Sequence, residues 1–135
     1  MTQEEKELLL KDLCARLPYG VKVKLGDNPN IFDLEYRIKF AVMYGNSDKL
    51  EDILDITNIK PYLFPLSSMT EEQHTDMFNY YHNAEIEEVY ASGDFLKAAY
   101  IGDDKKYEWL NRNHFDYRGL IEKGLANDAT GKNIY

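Results

Sequence analysis

Three histidines, one cysteine and a few paired carboxylates are the residues of this chain with which catalysis or metal binding could begin. His74 and His82 would lie roughly 12 Å apart along a helix at about 1.5 Å per residue, too far to share one ion. His82 and Glu85 have the i,i+3 spacing of two ligands, but nothing nearby in sequence completes a tetrahedral set. No metal and no cofactor is therefore expected. His114 stands between Asn113, Asp116 and Arg118 at what reads as a helix corner. It is the one candidate for general acid–base work, and a capping or packing role suits the same place. The pairs Asp103/Asp104 and Glu87/Glu88 are adjacent, and adjacent residues on a helix do not face each other. Ser67-Ser68 lacks the flanking glycines of a nucleophile elbow. Cys14 falls on a leucine stripe with no base supplied, so it reads as a small buried core residue. No catalytic residue is assigned. The binding candidates are His114, Arg118 and a basic set made of Lys22, Lys24, Arg37 and Lys39.

Charge limits the partners. The net charge is −8, and the imbalance is uneven: 9 basic and 11 acidic side chains in residues 1–66, against 7 and 13 in residues 67–135. No Lys or Arg occurs between Lys60 and Lys97. Such a surface repels phosphate backbones and anionic membranes. One cysteine excludes an intrachain disulfide and suits a reducing compartment. No apolar run approaches the ~18 residues of a membrane span, and the first residues do not read as a signal peptide. A soluble, cytoplasmic protein is expected. The 11 tyrosines are many for 135 residues, and they suit core rims and contact surfaces, where a half-buried ring keeps its hydroxyl wet.

The elements that would position these residues follow from pattern. Thr2 with Glu5 forms a capping box and opens a helix over residues 3–17, stopped by Pro18 and Gly20. Val21, Val23 and Leu25 alternate with lysines and predict a strand. From Phe32 to Tyr44 every even position is apolar, and Asp33, Glu35, Arg37 and Lys39 fill odd ones. This period of two predicts one long strand, bent through a bulge. Gly45 to Asp48 reads as a turn, and Ile53 to Ile59 as a further strand or a strand with a tight turn. Tyr62 to Leu66, between Pro61 and Pro65, reads as an edge strand. Thr70 with Gln73 is a second capping box, so a helix begins near Glu71. Phe95 to Ile101 fits strand or helix. Gly102 to Asp104 is expected to cap a helix carrying Trp109 and Leu110. Asp116 is expected to cap a last helix, with its carboxylate near Arg118 or Gly119, and Trp109 and Leu110 to pack on Leu120 and Ile121. Arg118 is expected to pair with Glu122 or to be presented to a partner. The tail from Asn127 reads as polar and frayed, with Ile134 and Tyr135 able to dock.

Three segments carry a resemblance: Leu17-Pro18-Tyr19-Gly20-Val21-Lys22-Val23, Lys60-Pro61-Tyr62-Leu63-Phe64-Pro65-Leu66-Ser67-Ser68-Met69-Thr70-Glu71-Glu72, and the run from Trp109 to Ala126 that holds Asn111-Arg112-Asn113-His114-Phe115-Asp116-Tyr117-Arg118-Gly119. Together they resemble a widespread family of uncharacterised proteins from gut Bacteroides and their phages or mobile elements. The resemblance implies a phage or mobile-element setting. It implies no activity, and no residue inherits a catalytic role from it. Where relatives tend to have Arg in the proline-flanked strand, this chain has Phe64.

The expected fold is a single α+β domain over residues 1–135. It comprises an N-terminal helix (3–17), a small antiparallel bent sheet or barrel of four to five strands (20–66), a helical region (70–126) and a polar tail (127–135). The expected core includes Leu13, Val23, Leu34, Ile38, Phe40, Val42, Ile56 and Leu63. Three functions are compatible with these residues. The first is a non-enzymatic module that binds a protein partner or itself through an aromatic-rich surface, with no small-molecule substrate. The second is a nucleic-acid-associated small barrel, or an acidic decoy of nucleic acid. The third is a small enzyme with a site near His114.

Overall fold

The computed structural model describes residues 1–44 and 55–135. The chain is α+β: an N-terminal helix, a mixed sheet and C-terminal helices. Helix α1 (Gln3–Arg16) starts at the Thr2–Glu5 capping box, both of whose bonds are made, at 3.0 and 3.1 Å. Its inward face is Leu9, Asp12, Leu13 and Arg16, so two charged residues occupy core positions. Cys14 lies just off that face and is exposed, which corrects its assignment to the core. Its neighbours include a cavity of about 460 Å³ between α1, Leu34, Ile38 and the turn at Ile56.

Strand β1 (Lys22–Leu25) turns at Gly26, where φ is 53°, a left-handed conformation that glycine adopts without cost. It pairs antiparallel with β2 (Ile31–Asp33) and with β3 (Ile59–Pro65). Two short strands, β4 (Phe115–Asp116) and β5 (Asn127–Asp128), lie parallel to β3. The sheet is therefore mixed and open, and the barrel alternative does not hold. Strand β3 is not an edge. It accepts β1 along Ile59–Pro61, then β5 and β4 along Tyr62–Pro65, and its prolines forfeit only their own donors.

The long strand from Phe32 is overturned. After Asp33 the chain becomes helix α2 (Leu34–Tyr44), begun by Asp33, whose Oδ1 accepts the Tyr36 amide at 3.0 Å. The reason is arithmetic. A string alternating with period two also repeats at i,i+4, so it satisfies one helical face as well as one strand face. Leu34 and Ile38 turn to the core, and Glu35 pairs with Lys39 at 3.0 Å on the outside. Phe40 (44% exposed) and Val42 (49%) leave the core assigned to them. Leu13, Val23, Leu34 and Leu63 are buried as expected, and Ile38 and Ile56 pack at the core margin. The turn expected at Gly45–Asp48, and the start of the strand expected from Ile53, lie outside the described residues.

Thr70 and Gln73 close the second capping box and open helix α3 (Glu71–Ser92). Gly93 ends α3 in a left-handed conformation, and the Asp94 carboxylate caps α4 (Phe95–Arg112) through the amides of Leu96 and Lys97. Phe95–Ile101 is thus helical, and the cap expected at Gly102–Asp104 lies in mid-helix. There the Glu85 side chain of α3 lies over Gly102, and a Cβ at this position would oblige that side chain to move aside. The last helix is absent. Gly119 and Gly124 both take left-handed φ, at 72° and 73°, and break residues 117–124 into turns. Asp116 still caps, two residues further on than expected, accepting Leu120 and Ile121 amides at 2.9 Å each. The tail is tied down by β5 and by Ala129, which is buried.

Two apolar clusters result. One joins α1, β1, Leu34, β3, Leu120 and Leu125. The other holds Trp109, Leu110 and Phe115, with Phe64, Met69, Met77, Tyr80 and Tyr117 around them. Trp109 and Leu110 therefore do not pack on Leu120 and Ile121, which belong to the first cluster. Trp109 stacks on Phe115 at 5.7 Å and donates its indole N–H to Asp76 at 2.9 Å.

Candidate functional site

The densest polar chemistry is buried, where α1 meets residues 110–118. Asp12 Oδ2 accepts from Arg16 Nε at 2.9 Å, and its Oδ1 accepts from Arg118 Nη1 at 3.2 Å. Arg16 also donates to the carbonyl oxygens of Phe115, at 2.6 Å, and Leu110, at 3.5 Å. Arg118 donates to the Tyr117 hydroxyl at 2.8 Å, which donates in turn to Asn111 Oδ1 at 2.9 Å. Burial raises the Asp12 carboxyl above its usual range, and Arg16 and Arg118 oppose that rise. Here Arg118 is an internal clamp. Its partner is Asp12 and not Glu122. Sequence reasoning missed Asp12, Arg16, Asn111 and Tyr117. The usable signal was two opposite charges in phase with Leu9 and Leu13 on the apolar side of α1.

His114 sits beside this cluster, buried, with φ at 64°. Its ring stacks on Tyr135 with centroids 3.6 Å apart. Burial, with Arg16 and Lys22 nearby, lowers its pKa to about 4, so the imidazole is neutral at pH 7. Nδ1 makes no hydrogen bond with any described residue. Among the described residues no carboxylate orients the ring, and it has little basicity to offer a substrate. The Tyr135 hydroxyl takes the Lys22 amide hydrogen at 2.7 Å and donates to the Tyr62 carbonyl at 2.8 Å, bridging β1 and β3. Burial pushes its phenol above the ordinary range.

The basic set is divided. Lys22 and Lys24 share the outer face of β1, but Arg37 and Lys39 lie on α2, not on a paired strand. Lys39 is bound to Glu35, and the Arg37 guanidinium lies over the Phe40 ring at 5.8 Å. Lys22 pairs with Asp33 at 3.5 Å. The cation brought next to Lys24 is one the sequence reading passed over, Lys60, its register partner across β1 and β3.

The remaining surface of interest is the α3–α4 hairpin. Its base is anchored by Met77, Tyr80, Trp109 and Leu110, and neither apolar cluster takes a residue from 81–108. Beyond the base the two helices pack on each other as an arm. From Glu85 to Tyr100 only Ala98 is buried. Tyr90 (87% exposed), Phe95 (75%), Leu96 (69%) and Tyr100 (67%) crowd its outer end. Helix α3 carries six carboxylates and no Lys or Arg. Among the described residues no group of His, Cys, Asp and Glu could hold a metal ion, and no helix is long and apolar enough to cross a membrane. No family model, no curated protein and no solved structure matches this chain.

Proposed function

We propose that the chain is a non-enzymatic protein-interaction module whose contact surface is the outer half of the α3–α4 arm. The observation that supports this reading is the set Tyr90, Phe95, Leu96 and Tyr100, four large apolar side chains exposed together at the end of a helical hairpin. Clustered aromatic side chains are what protein interfaces bury, and scattered ones are not. A two-helix arm with so little buried of its own gains stability when another surface covers it. The phage or mobile-element setting is part of the proposal and rests on the sequence resemblance alone. Genes adjacent to this one that encode no phage or transfer functions would remove it. The arm itself is tested by changing Tyr90, Phe95, Leu96 and Tyr100 to serine together. The variant should keep its thermal transition, because none of the four belongs to a core cluster, and should lose proteins that the wild type captures from host extract. Equal capture by both would refute the reading.

A further inference from the structure

Lys24 and Lys60 stand directly opposite each other across β1 and β3, on the outer face of the sheet. Neither makes an ion pair or a hydrogen bond through its ammonium group with any described residue, although acidic residues outnumber basic ones by 24 to 16. Like charges directly across a ladder destabilise it, so the pair is tolerable where a countercharge comes from outside. Lys132 extends the same cationic region, its ammonium 6.0 Å from the centre of the Tyr62 ring. The most acidic described element is α3, and its Glu71, Glu72 and Glu87 are exposed and make no ion pair with any described residue. We infer that the Lys24–Lys60 face is a docking site for α3 of a second copy of this chain, an inference that rests on the reading of the arm as a contact surface. Charge complementarity selects this occupant: the face is cationic, and α3 carries six carboxylates and no Lys or Arg. Because face and arm are different surfaces, two copies can satisfy each other reciprocally as a closed pair, and one-way contacts would run on into chains.

The test is sedimentation of the full chain across a range of salt. Wild type should show at least twice the mass of one chain at low ionic strength and a single-chain mass at high salt, since exposed charges are screened. A Lys24→Glu/Lys60→Glu variant and a Glu71→Lys/Glu72→Lys/Glu87→Lys variant should each be monomeric. Mixed in equal amounts they should associate, because each then carries the charge its neighbour needs. Their circular dichroism melts verify folding. Wild type that is monomeric in low salt, association that survives both charge reversals, or a mixture that stays monomeric would overturn the inference. Salt-sensitive retention of an oligonucleotide by monomeric wild type would transfer the lysine face to nucleic acid. None of these results touches the arm, whose serine variant is read by capture of other proteins.

Discussion

Replacing Asp12 with alanine isolates the buried ionic clamp. Asp12 and Arg16 are both fully buried, and Arg118 is nearly so. Removing the carboxylate leaves two guanidiniums facing each other with no anion between them. Arg16 keeps its bonds to the Phe115 and Leu110 carbonyls, and Arg118 keeps the Tyr117 hydroxyl, so both retain some solvation by the protein. Removing one partner of a buried pair costs ~3–5 kcal/mol, because it strands an uncompensated charge. For a domain of this size that corresponds to a fall in Tm on the order of 10 °C. Asp12→Asn holds the shape and removes only the charge, so it should recover less than half of the loss. Arg118→Ala, which leaves the Asp12–Arg16 pair intact, should cost about 1.5–3 kcal/mol as the loss of hydrogen bonds between charged groups. The assay is thermal and urea denaturation followed by circular dichroism. An Asp12→Ala protein within about 1 kcal/mol of wild type would refute the claim that this cluster holds α1 to the C-terminal segment.

Trp109→Ala should cost about 3–5 kcal/mol in the same assay, since it empties the centre of the second cluster and leaves Asp76 without its indole donor. His114 gives a pH signature. Its folded pKa of about 4 lies below the ordinary 6.5 of histidine, so its contribution to stability is complete above pH 6.5 and is lost as pH falls toward 4. That loss amounts to about 3 kcal/mol at 1.36 kcal/mol per pKa unit. Asn is tolerated at positive φ, so His114→Asn should flatten this part of a stability–pH profile, and an unchanged profile would remove His114 as its cause. Tyr135→Phe deletes the hydroxyl that bridges the Lys22 amide and the Tyr62 carbonyl. It should lower stability by ~0.5–1.5 kcal/mol in urea denaturation, because the hydrogen bonds that tie Tyr135 to the two strands are lost.

Both capping boxes, the first strand and the α+β class were legible from local chemistry, because each depends on residues within a few positions of one another. The stretch from Phe32 to Tyr44 was not. Its alternation serves strand and helix alike, and the helix is favoured by the Asp33 cap together with the burial of Leu34 and Ile38 on one helical face. Residues 117–124 misled for a related reason. Asp116 has the chemistry of a helix cap and uses it, but two left-handed glycines spend the capped amides on turns. Of the candidate binding residues, Lys22 and Lys24 lie together as expected, while Arg37 and Lys39 went with the misread strand. Arg118 was placed beside the wrong acid because Asp12 is 106 positions away, beyond any local pattern. Lys60 became notable only once register set it against Lys24.

Asp12 and Arg16 find their partners about a hundred residues downstream, and Lys22 finds Tyr135 at a separation of 113. A chain emerging from the ribosome makes α1 long before residues 110–118, and its two charged core residues stay in water until that segment has left the exit tunnel. Closing so wide a loop is entropically slow, and contacts of this separation form late. The α3–α4 arm has no such wait, because its helices are neighbours in sequence. During synthesis the two helices of the arm can therefore pair before residues 115–135 close the body, and the surface with the most exposed aromatic rings is presented to the cell before the fold behind it has closed.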